Sequence, residues 1–308
     1  MEMKEIELIK NMIDKCQFDS DVLFSILESF GEDIALIPLL LLEHQKIVRS
    51  RINDKKDLFY EVSDLSYPPS HCVIRTDRAS LKGHPMFYAS VFTSEAEKTG
   101  ALPRIVSAME TLNILKEVHT NQQCIFTQSL WQVKENVHVF AFPVSEKYKR
   151  ACSELGMFRD GWENFCKDYY TKDSIEFFSF IGDLMATPGS PSIYQVTATC
   201  VDYIIRKFDF EGIVYPSVPT EGEGLNVCLT PKVVDEKICF EDAIAEMVFR
   251  TDMESEIEVF ACIQKVSKTS FNWKVTEYGK KQMNKLDVFP HFKESDEVIL
   301  VPKYRMEK

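Results

Sequence analysis

The sequence predicts an α+β fold, and three observations lead to this prediction. Segments with helical spacing and β-branched or aromatic runs are mixed along the 308 residues without regular alternation, which argues against a doubly wound parallel sheet. Two apolar runs, 212–216 and 227–229, flank a glycine-rich loop as two strands joined by a turn would. Apolar residues over 105–118 show the spacing of an amphipathic helix, with Pro103 just before it.

The composition is that of a globular protein, with 45% hydrophobic and 27% charged residues. A formal charge of −12 disfavours nucleic-acid binding, because such a surface repels phosphate backbones. The longest apolar block, 34–42, is too short to span a bilayer, and the N-terminus lacks the pattern of a secretion signal. Nine scattered cysteines without metal-binding spacing indicate reduced thiols. We therefore expect a cytoplasmic protein that has no metal site and binds neither nucleic acid nor a membrane.

Residues 1–57 are predicted to form a helical N-terminal extension that packs on the main body. Apolar residues recur at helical spacing over 6–16 and again over 22–30. We predict a third helix at about 38–51, after which a Lys-Lys-Asp sequence at 55–57 indicates a hinge.

The central segment, residues 58–232, is the predicted core. Proline, glycine and short apolar pieces over 58–90 indicate loops and strands. Ser190 followed by Pro191 is typical of a helix start. The other elements expected here are strands at 125–126 and 137–142, a long helical stretch at 162–185 and a helix at 193–207.

The last segment, residues 233–308, is predicted to be a C-terminal extension packed on the core. A helix is expected at 238–249. Three β-like runs follow, at 257–266, 271–278 and 298–304.

Four polar residues stand out in the sequence. The sequence contains no GxGxxG, Walker A or GxSxG motif, so those nucleotide-binding and hydrolase classes lose support. Arg78 and Tyr88 enclose the sequence Ala-Ser-Leu-Lys-Gly-His-Pro-Met-Phe, Glu110 follows Ser-Ala-Met, and Ser217 closes Gly-Ile-Val-Tyr-Pro.

This order of arginine, tyrosine, glutamate and serine resembles the RES-domain family over residues 58–232. The helical sequence before the Tyr-Pro-Ser corner and the downstream Gly-Leu-Asn226-Val-Cys-Leu are also similar to the family pattern. The chain has Ala79-Ser80 where family members usually carry Phe-Asn after the arginine.

The resemblance leaves two assignments with alternatives. The tyrosine-to-glutamate gap is long because 91–100 resembles an insertion, so Glu97 is an alternative to Glu110. Arg75 is likewise an alternative to Arg78. Glu110 is preferred because it follows small residues on a helix, as in the family.

The resemblance implies an ADP-ribosyltransferase-like α+β fold, with a mixed or antiparallel sheet flanked by helices. It implies that NAD is the substrate and that no cofactor is needed. Known members are bacterial toxins that destroy NAD by hydrolysis or phosphorolysis, so inorganic phosphate and a neutralising antitoxin protein are the further partners expected.

The side-chain chemistry of these residues is compatible with the cleavage of NAD. A guanidinium grips a pyrophosphate with two hydrogen bonds, which is the role expected of Arg78. Cleavage of the nicotinamide–ribose bond develops an oxocarbenium-like cation, which the Glu110 carboxylate would stabilise. Tyr88 would stack on the nicotinamide or ribose, and Ser217 would orient the glutamate or the ribose. Asn226 is expected to contribute to NAD binding.

Three other hypotheses stay open from the sequence. The same chemistry transfers ADP-ribose to a protein when a protein side chain takes the place of water. A non-catalytic binding module of the same fold is favoured by the missing asparagine after Arg78. A structural or scaffold protein gains support only from the N- and C-terminal extensions.

Overall fold

The computed structural model describes residues 3–53, 58–92, 102–112, 122–145, 162–222, 224–250, 255–265, 267–277, 279 and 297–298. The helices in these ranges are α1 (Lys4–Asp14), α2 (Ser20–Ser29), α3 (Val62–Leu65), α4 (Leu102–Thr111), α5 (Lys172–Met185), α6 (Pro191–Phe208) and α7 (Pro231–Lys237), with a 3-10 turn at Ser70–Cys72 and a π-helical turn at Trp162–Cys166. The strands are β1 (Ile37–Leu41), β2 (Lys46–Ile52), β3 (Phe87–Val91), β4 (Gln122–Val133), β5 (Val137–Ala141), β6 (Gly212–Pro216), β7 (Leu225–Leu229), β8 (Ile238–Arg250), β9 (Ser255–Lys265), β10 (Phe271–Val275) and β11 (Glu297–Val298).

All these strands belong to one sheet of eleven strands, in the order β1-β5-β6-β7-β3-β2-β4-β8-β9-β10-β11. Two neighbouring pairs, β5–β6 and β10–β11, are parallel, and the other pairs are antiparallel. Helices flank this sheet rather than alternate with its strands. The predicted α+β class is therefore confirmed.

The central strands are covered on both faces, which explains their apolar sequences. Every residue of β6 and β7 is buried. Helices α1, α2, α5 and α6 cover one face, where Ile213 and Cys228 join their apolar side chains. On the other face, Val214 and Val227 pack with residues from β4, β8, β9 and β10. Side chains alternate between these two layers because successive residues of a strand point to opposite faces.

The strand–corner–loop–strand arrangement predicted around the Tyr-Pro-Ser sequence is confirmed. Strands β6 and β7 pair antiparallel, with Tyr215 opposite Asn226. The predicted start of α6 is confirmed as well, since Ser190 Oγ accepts a hydrogen bond from the Ile193 N–H and Pro191 is the first helical residue.

The prediction of a third N-terminal helix at 38–51 is wrong. Strand β1 pairs with β5, and β2 pairs with both β3 and β4. His44 separates the two strands with a φ of 71°, a conformation that a helix cannot contain. Helix propensity contributes little free energy compared with tertiary contacts, and in this segment the pairing with neighbouring strands overrides it. The helical part of the predicted extension is therefore α1 and α2, and its remainder supplies two strands of the sheet.

The helix predicted at 238–249 is also wrong, since these residues form β8. Twelve residue pairs join β8 to β4, and β9 pairs along the other edge of β8. Apolar residues occur on both faces of this strand, for example Ala245 and Val248, and such a run imitates helical spacing. The predicted C-terminal extension thus continues the sheet of the core.

Two further predictions need adjustment. The long helical stretch predicted at 162–185 is divided into a π-helical turn and α5, because Thr171 caps a new helix by accepting from the Ser174 N–H. The helix predicted at 105–118 begins earlier, at Leu102, and contains Pro103 in its first turn. Residues 113–118 of that prediction lie outside the described ranges, as do 299–304 of the last predicted strand.

None of the helices within the described ranges combines the length and the apolar character needed to cross a bilayer.

Candidate functional site

A cleft of about 810 Å³ opens where β3, β7 and β2 meet α4 and the start of α6. Four of the residues singled out in the sequence line it: Arg78, Tyr88, Glu110 and Asn226. Ser217, the fifth, is fully buried and contacts Glu110 directly. The fold therefore brings together residues from positions 78 to 226 of the chain.

The central feature of the cleft is the Glu110 carboxylate. Its Oε1 atom accepts a hydrogen bond from Ser217 Oγ at 2.8 Å and another from Asn226 Nδ2 at 2.7 Å. Ser90 Oγ in turn donates to Asn226 Oδ1 at 2.9 Å, which fixes the orientation of the amide. Asn226 and Ser90 are buried, whereas Glu110 is partly exposed to the cleft. The carboxylate is thus held in one orientation at the cleft wall.

The loop after β6 explains how Ser217 reaches this carboxylate. Ser217 N–H donates to the Gly224 carbonyl at 2.8 Å, and Gly222 N–H donates to the Ser217 carbonyl at 2.8 Å. Gly222 has a φ of 85°, a left-handed conformation that glycine adopts without strain. A Cβ on Gly224 would lie 2.3 Å from a methyl carbon of Val106 in α4. Glycine at 224 therefore allows α4 to approach the loop, and Glu110 to approach Ser217.

Strand register places the polar partners on one face of the sheet. Ser90 lies opposite Asn226 in the β3–β7 ladder, and Tyr88 lies opposite Cys228. Phe87 and Ala89, the alternate residues of β3, pack in the core on the other face. The period of two in β3 therefore directs its polar side chains to the cleft.

Arg78 stabilises the wall of the cleft as well as lining it. Its Nη1 donates to the carbonyls of Leu184, Met185 and Thr187, at 3.2, 2.7 and 3.0 Å, so it caps the C-terminus of α5. The guanidinium carbon also lies 5.2 Å from the centre of the Tyr194 ring. Among the described residues, Nε and Nη2 donate no hydrogen bond. The carbonyls at the end of α5 therefore engage Nη1 but leave Nε and Nη2 available on the cleft side chain.

The hydroxyl of Tyr88 holds the turn that carries Arg78. It accepts a hydrogen bond from the Ala79 N–H at 3.1 Å and donates to Ser80 Oγ at 3.0 Å. Burial raises the pKa of Tyr88 well above its usual value, and these hydrogen bonds oppose that shift only in part. Tyr88 is thus a neutral phenol that donates its hydrogen bond to Ser80.

The structure adds residues that sequence reasoning missed. Arg49 of β2 lines the cleft, and its Nη1 donates to the Tyr88 carbonyl at 2.8 Å. Its Nε is buried without a hydrogen-bond partner in the described part of the chain. Burial, followed by the nearby Arg51 charge, lowers the pKa of Arg49 to about 10, so the side chain stays cationic at neutral pH. The β2–β3 ladder ends after the Val48–Ser90 pair, just before Arg49. The sequence did not single out Arg49, because residues 38–51 were predicted to form a helix rather than strands.

Tyr215, opposite Asn226 in β6, also lines the cleft. Burial, with a further contribution from the Glu110 charge, raises the pKa of Tyr215 well above its usual value. The phenol is therefore uncharged and adds no negative charge beside the carboxylate. In the sequence, the only indication of Tyr215 as a cleft residue is its place in the Tyr-Pro-Ser corner.

The cleft is cationic although the protein is acidic. Arg49, Arg78, Arg75 and Lys82 line it, against the two carboxylates Asp77 and Glu110. This local excess of positive charge contrasts with the net charge of −12. A concave site of this kind concentrates anionic ligands.

The structure shows where Arg75 lies relative to Arg78, for which it is the alternative. Arg75 lies at the mouth of the cleft, with 81% of its side chain exposed and Nε 3.2 Å from Asp77 Oδ1. Arg78 is the deeper of the two. Glu97 lies outside the described residues, whereas Glu110 meets Ser217 and Asn226.

No protein-family model matches the sequence, and no curated protein matches it significantly. The part of the chain that the structure describes contains no group of three or more histidine, cysteine or acidic side chains placed to hold a metal ion.

Proposed function

We propose that the protein is an NAD-consuming enzyme with an ADP-ribosyltransferase-like fold, which cleaves the nicotinamide–ribose bond as a glycohydrolase or a phosphorylase. One observation carries the proposal: the Glu110 carboxylate, held by Ser217 and Asn226, faces a cleft lined by cationic side chains. A fixed carboxylate suits a reaction that develops positive charge, and cationic walls suit an anionic substrate.

The proposed reaction gives Glu110 a role at the bond that breaks. The C1′–N bond of NAD breaks with its electron pair, nicotinamide leaves as a neutral base, and the ribose develops oxocarbenium character. Glu110 stabilises this cation through its negative charge and accepts a hydrogen bond from a ribose hydroxyl. Water or inorganic phosphate then attacks C1′, and the proton lost by water passes to solvent. The product is ADP-ribose or its 1″-phosphate.

Cationic residues that line the cleft suit the pyrophosphate of NAD. Arg49 and Arg78 both line the cleft beside buried protein atoms, where a charge–charge interaction is stronger than in water. Tyr194, whose ring lies beside the Arg78 guanidinium, offers an aromatic surface for a base or ribose.

The experiment is NAD consumption by the purified protein, with and without inorganic phosphate, followed by the mass of the product. We expect release of free nicotinamide, and a phosphorylated ADP-ribose would identify phosphate as the acceptor. Glu110→Gln keeps the shape of the side chain but removes its charge, so turnover should fall by at least about 100-fold. Glu28→Gln, on the exposed surface of α2, is the matched control and should retain wild-type turnover. Well-folded wild-type protein that leaves NAD intact at high concentration would contradict the proposal.

A binding module without turnover is the second candidate, and two observations favour it. Arg78 Nη1 is committed to three main-chain carbonyls, and serine replaces the asparagine that follows in the family pattern. Titration calorimetry with NAD separates the two hypotheses, since binding without nicotinamide release supports the module. Transfer to a protein acceptor, and the toxin role with its antitoxin, stay predictions of the resemblance.

A further inference from the structure

A chain of buried polar groups runs from the cleft, beneath α4, to the C-terminal strand β8. Ser107 Oγ of α4 lies 2.8 Å from Ser50 Oγ of β2, and both side chains line the cleft. Gln128 of β4 donates its Nε2 to Ser50 Oγ at 3.1 Å and to the Arg104 carbonyl at 2.7 Å. Ser50, Ser107 and Gln128 are each less than 7% exposed.

Arg104, in the first turn of α4, connects this chain to β8. Its Nε donates to Gln128 Oε1 at 2.9 Å, and its Nη2 lies 3.5 Å from Glu246 Oε1. The Glu246 side chain is only 8% exposed, and its Oε2 has no hydrogen-bond partner within the described residues. A buried carboxylate needs a nearby cation, and among the described residues Arg104 supplies it.

The contacts bracket the residue that carries the proposed chemistry. Ser107 and Thr111 both bond to Ser50, through its hydroxyl and, at 3.4 Å, its carbonyl. Glu110 lies between them on the helix, so these contacts set how α4 is rotated on the sheet. Apolar packing shares this task within the described residues, since Ala108 and Leu112 cluster with Phe126 and Val248 and Val106 is also fully buried. The polar contacts on either side of Glu110 act together with this packing to set the rotation of α4.

We propose that Arg104 and Gln128 are positioning residues, which fix α4 on β2 and β4 so that the Glu110 carboxylate meets Ser217 and Asn226. By this inference Glu246 makes the C-terminal segment part of the active-site scaffold. The inference rests on the proposed function, because it assigns the network to the geometry of the catalytic carboxylate. A small displacement of such a group lowers the rate of the chemical step while leaving substrate binding largely intact.

The test is the steady-state kinetics of Arg104→Met and Gln128→Leu, together with hydrogen exchange of a peptide covering α4. Arg104→Met keeps the length of a partly exposed side chain, so the variant should fold even if Gln128→Leu does not. We expect kcat to fall about 10- to 100-fold, with KM within about twofold of wild type. The double variant should be no slower than the slower single variant, because both substitutions disrupt the same network.

Arg206→Met is the matched control. It removes an arginine that pairs with a carboxylate at 2.8 Å, Asp202 of α6, away from α4. Its kcat and the exchange of α4 should equal those of wild type. If Arg104→Met and Gln128→Leu keep kcat within about twofold of wild type, the network is only structural and the inference is overturned.

Failure of the proposed function gives a different result. A wild-type protein that does not cleave NAD refutes the function, and the exchange data then decide on the network. Faster exchange of α4 in Arg104→Met than in Arg206→Met would then show that the network fixes α4 on the sheet, without a role in catalysis. Equal exchange in both variants would show that the network does not fix α4.

Discussion

At the residue scale, the geometry around Glu110 depends on which neighbours donate hydrogen bonds. Ser217 and Asn226 both donate to the same carboxylate oxygen, and neither carries a charge. A donor stabilises the carboxylate, whereas a second acceptor at the same place repels it. The identity of the residue at 226 is therefore decisive.

Asn226→Asp tests this dependence through pH. At pH 8 two carboxylates would face each other across a 2.7 Å contact, and we expect kcat to fall about 100-fold. At pH 5.5 the neighbouring negative charge favours protonation of the introduced carboxyl group, whose O–H can donate as the amide does, and we expect kcat to recover to within about tenfold of wild type at that pH. Asn226→Ala is the control, with loss at both pH values. Equal activity of Asn226→Asp at both pH values would show that position 226 does not contact the working carboxylate.

At the element scale, the contact between α4 and β8 contains a buried carboxylate whose ionisation opposes folding. Burial raises the pKa of Glu246 to about 7, and Arg104 lowers it only in part. Between the ordinary value of 4.5 and about 7, folded protein holds a proton that the unfolded chain releases. This contribution to stability is therefore present at low pH and is lost as the pH rises through that window.

Glu246→Gln should remove the pH dependence, because glutamine does not ionise. We expect the free energy of unfolding of the variant, relative to wild type, to increase by about 2 kcal/mol between pH 5 and pH 8. Urea unfolding followed by tryptophan fluorescence measures this difference. Glu241→Gln, which removes another carboxylate of β8, is the control and should follow wild type at both pH values. A constant difference between Glu246→Gln and wild type would contradict the assignment.

At the scale of the whole molecule, the C-terminal segment is part of the main core. Among the described residues, 26 buried ones form the larger apolar cluster, and ten of these lie from Val233 to Trp273. Trp273 Nε1 also donates to the Phe59 carbonyl at 2.7 Å, and Val62 N–H donates to the Thr269 carbonyl at 2.8 Å. Sheet, core and loop contacts all cross the predicted boundary at residue 232.

Truncation after residue 230 should therefore abolish cooperative folding. The fragment would lose the twelve residue pairs that join β8 to β4 and would expose a long apolar edge, which promotes aggregation. Size-exclusion chromatography and near-UV circular dichroism of fragment 1–230, compared with the full chain, measure the effect. A monomeric fragment with a cooperative unfolding transition would show instead that residues 231–308 are an independent addition.

The sequence by itself determined the local features of the molecule. The α+β class, the β6–β7 corner and the capped start of α6 follow from the mixture of patterns, turn chemistry and capping. Each of these three depends on neighbouring residues or on a short motif, so the signal lies within a window of the chain. The expectation that Glu110 and Ser217 act together came only from the resemblance to a known family.

Only the tertiary structure decided the features that depend on distant partners. Residues 38–51 and 238–249 have helical spacing but form strands, because pairing with β4 and β5 satisfies their backbone groups. Arg49 donates to the carbonyl of Tyr88, which lies 39 residues away in sequence. Arg104 contacts Glu246, which lies 142 residues away. Such contacts leave no local pattern, because the free energy that fixes them comes from burial and pairing across the whole sheet.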